Sequence, residues 1–75
     1  MKDLVEFLAR NLVANPDEVK VEEIPSNRYT VLELTVARSD VGKVIGKQGR
    51  TARALRSLLK VAATKQGQRA SLEIL

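Results

Sequence analysis

The sequence predicts an α+β fold of two layers, in which one three-stranded mixed sheet is covered on one face by three helices in the order α-β-β-α-α-β. Three observations carry that reading. Along the 75-residue chain the apolar residues switch between a helical spacing near 3.6 and a strand spacing of 2. Each switch falls on turn-forming residues, at Asn15-Pro16, Pro25-Ser26-Asn27-Arg28, Gly46 to Gly49 and Gln66-Gly67. A composition of 44% hydrophobic and 29% charged residues at this length is that of one globular domain with one small core.

The first element is an amphipathic helix over Asp3 to Asn15, with Leu4, Leu8 and Leu12 at i, i+4, i+8 and Val5, Phe7 and Val13 beside them. Asn15-Pro16 ends it, because a residue before proline is biased out of the α region. Val19 and Val21 then alternate with Lys20 and Glu22, predicting a half-buried strand from Glu18 to Ile24. The turn at residues 25–28 leads into a second strand, Tyr29 to Ala37, whose Thr30, Leu32, Leu34 and Val36 share one face, so the two form an antiparallel hairpin. Ser39 or Asp40 can cap a short helix that carries Val41, Val44 and Ile45. A second helix, Arg50 to Lys65, places Ala52, Leu55, Leu59 and Ala62 on its inner side. Ala70, Leu72 and Ile74 alternate in a last strand. A helix pair between the second and third strands favours a right-handed crossover, which makes those two strands parallel.

Charge divides the chain. Residues 1–37 hold four bases and seven acids, a net of −3; residues 38–75 hold nine bases and two acids, a net of +7. A basic half of that density points to a polyanion, of which nucleic acid is the commonest. The same inventory argues against an enzyme. There is no cysteine and no histidine, so disulfides, thiolate metal sites and the usual neutral-pH base are excluded, and neither a metal nor a cofactor is expected. Glu22 and Glu23 point to opposite faces of a strand and cannot act as an acid/base pair. Asp3, Glu6 and Arg10 interrupt what a secretory signal would need to be apolar, and no run reaches the ~20 apolar residues of a membrane span, so the chain is expected in the cytoplasm.

The functional signal lies in Val44-Ile45-Gly46-Lys47-Gln48-Gly49-Arg50, where two glycines join two helices. Glycine reaches positive φ at a helix end and lets a phosphate approach closely. The loop opens onto a helix N-terminus, whose free N–H groups and dipole favour an anion, and Lys47, Arg50 and Arg53 stand around it. A P-loop is excluded, because only three residues separate Gly42 from Gly46 and Gln48 follows Lys47 where Ser or Thr is required.

Ile45-Gly46-Lys47-Gln48-Gly49 resembles the Ile-Gly-x-x-Gly signature of KH domains, and the element order is similar to the type II, or prokaryotic, KH form. A stand-alone chain of this size resembles the small bacterial single-KH RNA-binding proteins of the KhpA type. The resemblance spans residues 1–75 as a single KH domain, with an added helix and strand in residues 1–26 and the β-α-α-β core in 29–75. It implies that Gly46 and Gly49 clamp the backbone of about four single-stranded nucleotides, with Lys47 and Gln48 as the variable exposed pair. It further implies that Ile45 floors a base groove between the helices and a sheet edge, with Val44 turned into the core. Ala52 and Leu55 occupy positions where such domains usually carry large aliphatic residues, so Ala52 makes the groove shallower or lets another helix pack closely. Arg38, Lys43, Arg50 and Arg53 are the candidates for the electrostatic rim, while Arg56 and Lys60, which extend a cationic stripe from Arg53 along the helix or make an ordinary solvated face, are left outside the core site.

With Tyr29 and Phe7 the only aromatics, affinity is expected to rest on phosphates with low sequence specificity, as suits an RNA chaperone or post-transcriptional regulator. The alternative is an interaction module, in which Ile45 and Ala52 around the loop support a homodimer or a heterodimer with a larger KH-containing protein. A helix-turn-helix DNA reader ranks below both, because strands enclose the helix pair and its first helix is short.

Overall fold

In the computed structural model, which describes Met1–Leu75, the order of elements is α1 (Lys2–Arg10), β1 (Lys20–Ser26), β2 (Tyr29–Thr35), α2 (Val41–Ile45), α3 (Arg50–Lys65) and β3 (Arg69–Ile74). β2 is central. It pairs antiparallel with β1 across the Asn27-Arg28 turn and parallel with β3 through the α2-α3 crossover. The expected α+β architecture is therefore present, and its order and mixed sheet are those of a type II KH fold.

Register places the side chains. Val21 lies opposite Leu34, and Leu32 opposite Leu72, on the face under the helices. Those residues form one core with Val5 and Ala9 of α1, Val44 of α2, and Leu55 and Leu59 of α3. Leu32 and Leu34 on the central strand are fully buried, as are Val44 and Leu59 above them. Truncating one of these leucines to alanine costs about 3 kcal/mol, most of what a core of this size supplies. On the opposite face Glu22 stands in register with Glu33, and Glu33 with Glu73, a row of three carboxylates across the sheet.

The structure corrects several expected boundaries. β1 begins at Lys20, two residues late, because Pro16–Glu18 form a 3₁₀ turn; β2 stops at Thr35, and a second 3₁₀ turn, Arg38–Asp40, precedes α2. Inside α3 it is Ala63, not Ala62, that is fully covered. The largest difference is in α1, which ends at Arg10 instead of Asn15 and buries Val5 and Ala9, while Phe7 and Leu12 are exposed. Small residues let that helix approach its neighbours closely, which the wider leucine stripe would prevent.

Asp40 explains why α1 does not run on to Asn15. Rather than capping α2, its fully buried carboxylate accepts hydrogen bonds from the backbone N–H of Ala14 at 3.1 Å, the backbone N–H of Asn15 at 3.0 Å and the side-chain amide of Asn15 at 3.1 Å. Lys43 Nζ adds an ion pair at 3.4 Å. Residues 14 and 15 are thus held against the start of α2 and cannot continue a helix. Burial raises the pKa of this carboxyl, but the Ala14, Asn15 and Lys43 donors outweigh that effect and hold it below the ordinary 3.8.

Candidate nucleic-acid interface

Three of the four loop residues have positive φ. Gly46 sits at φ 77°, ψ 172°, a region open essentially to glycine alone, and Gly49 and Gln48 lie in the left-handed region at φ 73° and φ 57°. Gly46 is required twice over, since a Cβ there would collide with the Thr51 hydroxyl and lie 2.9 Å from its backbone nitrogen. Gly49 has open space around it, so only its backbone angle calls for glycine. The loop is closed by Gly46 N–H to Gly42 O at 2.8 Å and Gly49 N–H to Gly46 O at 3.1 Å. It is a backbone scaffold that leaves both intervening side chains in water.

Lys47 and Gln48 are exposed, as expected, and Arg50 Nη2 donates to Gln48 Oε1 at 3.1 Å, folding that guanidinium back over the loop. Arg53 is exposed one turn along α3. Ile45 is 41% exposed beside the loop while Val44 is fully buried, the division anticipated for that pair. Other candidates sit elsewhere. Arg38 lies beyond the opposite end of α2, and Lys43 is engaged by Asp40 rather than turned to the loop. Ala52, expected at the groove, is 3% exposed and belongs to the interior of α3, so it offers no surface to a ligand. The small side chain serves close packing rather than a shallow groove.

The second half of the site was not expected in this form. A groove of 580 Å³ runs between α3 and the edge strand β3, lined by Leu59 and Ala70 below and by Arg56, Lys60 and Arg69 around it, with no acidic side chain. Arg56 Nε donates to Leu72 O at 3.3 Å, covering a carbonyl on the outer edge of β3. Tyr29 lines the same groove and is 45% exposed. Sequence spacing does record Arg53, Arg56 and Lys60 as a stripe, yet only the position of β3 beside α3 turns the stripe into one wall of a cleft. The five-residue α2, with strands on either side of the helix pair, also rules out a helix-turn-helix reader.

A glycine-framed loop between two helices, a basic cleft along the second helix, and a sheet of this topology together define a KH module. Comparison with known proteins gives the particular family. The family model "KhpA/KhpB, KH domain" matches residues 2–74, and the chain belongs to that family. It is 51% identical over its full length to the RNA-binding protein KhpA of Clostridium acetobutylicum, also covered in full. It is 53% identical to the RNA-binding protein KhpA of Halalkalibacterium halodurans, covering all of this chain and 99% of that one. Aquifex aeolicus has another of that name, 52% identical over 75 residues and covered to 95%. All three organisms are bacteria, and the names describe a binder rather than an enzyme. Among solved structures, Era in complex with MgGDPNP and nucleotides 1506-1542 of 16S ribosomal RNA superposes with a TM-score of 0.54. That match has 23% identity and covers 97% of this chain and 28% of the other, a likeness of fold. No helix is long and apolar enough to cross a membrane.

Proposed function

We propose that this chain binds single-stranded RNA, holding the sugar-phosphate backbone at Gly46 to Gly49 and laying the bases along the α3–β3 groove. The observation that carries the reading is the loop itself: glycine-dependent backbone at Gly46 and Gly49, opening onto the 16-residue α3, with Lys47, Arg50 and Arg53 exposed around it. Its relatives' names, which state RNA binding, support the same conclusion. Binding rests on phosphate neutralisation and shape, so sequence preference is loose, which fits a chaperone-like or post-transcriptional role in the cytoplasm.

The test is binding of a fluorescent single-stranded RNA by the wild type and by K47D/Q48D. The variant places two negative charges at the phosphate position while both glycines stay, and aspartate tolerates the left-handed backbone at position 48. Loss of binding with an unchanged circular-dichroism spectrum is expected. For about three neutralised phosphates the wild-type salt slope is near −2, so a rise from ~50 to ~200 mM salt weakens binding roughly twenty-fold. A slope near zero, or full binding by the variant, rejects the reading.

A second reading, pairing with another copy or with a larger KH-containing protein, has its own observation. Leu58 and Val61, one turn apart on α3, are 50% and 56% exposed. With Ala52 buried, such pairing uses this flank of α3 and not the loop. V61E would then shift the sedimentation profile toward monomer and leave the loop's affinity for RNA unchanged.

A further inference from the structure

The α3–β3 groove does not end at Lys60. Thr64, Gln68 and Arg69 line both it and a second hollow of 350 Å³ that adds Arg28 and Gly67, so the two are continuous around the far end of α3. Neither contains an acidic residue. Arg28 and Arg69 are brought together by the backbone, Arg69 N–H donating to Arg28 O at 3.0 Å where the β1–β2 turn meets the start of β3. Both side chains are exposed, and neither takes part in either of the two salt bridges. Two free guanidiniums on bonded neighbours, beside a half-exposed tyrosine at the end of a basic cleft, are an arrangement that folding alone does not require.

We propose that Arg28 and Arg69 form a second phosphate site, reached by the same RNA strand after it leaves the Gly46–Gly49 loop, with Tyr29 offering its ring to a base between the two. The proposal rests on the RNA-binding reading of the loop and extends it from a local clamp to a two-point path. From Arg50 to Thr64 the helix rises about 21 Å. A stacked strand advancing ~3.4 Å per nucleotide covers that distance in about six nucleotides, more than the four a loop of this kind holds.

The experiment compares fluorescein-labelled oligouridylates of about four and about ten nucleotides, bound by wild type, R28Q/R69Q and K47D/Q48D. The arginine variant keeps the backbone bond between its two positions, so its fold is preserved. Losing two single-strand phosphate contacts lowers the salt slope by about 1.4 and weakens the longer oligonucleotide about 25-fold at ~0.1 M salt, with the shorter one unchanged. Tyr29 is the only tyrosine in a chain without tryptophan, so its emission reports on this end of the groove alone. Quenching by the longer RNA and not by the shorter is expected. Unchanged affinity of R28Q/R69Q for the longer RNA, or equal losses at both lengths, overturns the second site while leaving the loop reading intact. Full binding of both lengths by K47D/Q48D overturns the loop reading, and with it the path.

Discussion

The two ends of α2 are held by opposite means. At its start Asp40 is buried, and side-chain chemistry does the holding: one carboxylate gathers residues 14 and 15 and is answered by Lys43. At its end the Gly46–Gly49 loop is largely exposed, and the backbone does the holding, through positive φ and the contact of Gly46 with Thr51. A five-residue helix has no stability of its own, so both devices are needed. The difference teaches a division of labour. The buried end depends on one side chain, while the other end keeps its shape through the backbone and leaves the side chains of Lys47 and Gln48 exposed.

Removing the carboxylate breaks the comparison most severely. D40A leaves two backbone N–H groups and an amide unpaired in a part-buried position, and thermal melts should show Tm falling on the order of 20 °C. The folded-state pKa of Asp40 lies below its ordinary 3.8, so this group stabilises the fold above that pH. Its contribution is lost as pH falls from there through the lowered value. Chemical denaturation between pH 7 and pH 2 should therefore show an acid-side loss that D40N lacks.

G46A comes next, at about 2 kcal/mol or roughly 10 °C for the backbone conformation, with the Thr51 collision added. G46A/T51A should recover only the part owed to the Thr51 hydroxyl, since the Cβ and backbone nitrogen of residue 51 still crowd the new methyl, and a double-mutant cycle reads that part directly. G49A should cost only about 1 kcal/mol, since nothing surrounds that position. Gly42 sharpens the contrast from the other side. It lies inside α2 with nothing near its missing Cβ and no unusual angle, so G42A should stabilise by about 0.5 kcal/mol in denaturant titrations.

These two regions were not equally legible in the sequence. The loop and the limits of α3 could be read because glycine and Gln66-Gly67 are local signals whose meaning depends on backbone angles. Asp40 reads in sequence, beside Ser39, as a candidate cap, because its partners lie 25 and 26 residues away and no periodicity records such a bond. The same limit displaces the end of α1: Asn15-Pro16 is a local stop signal, yet the chain leaves the helix after Arg10. At the candidate site, charge and spacing point to Lys47, Arg50 and Arg53, which stand exposed around the loop. Those signals could not place Arg56, Lys60 and Tyr29 in one cleft, since that depends on which strand becomes the sheet edge beside α3.

The row of Glu22, Glu33 and Glu73 across the uncovered sheet face has a kinetic consequence. Carboxylates directly opposite one another repel, a small loss of stability for the sheet. Set against the basic cleft along α3 and β3, however, they give the molecule one acidic and one basic side. A polyanion several ångströms away exerts a torque on such a body before any contact forms, within the ~8 Å over which charge is felt at physiological salt. Encounters with a polyanion are then sorted by orientation during diffusion: the carboxylate face is turned away in flight, and a larger share of collisions arrives on the basic side.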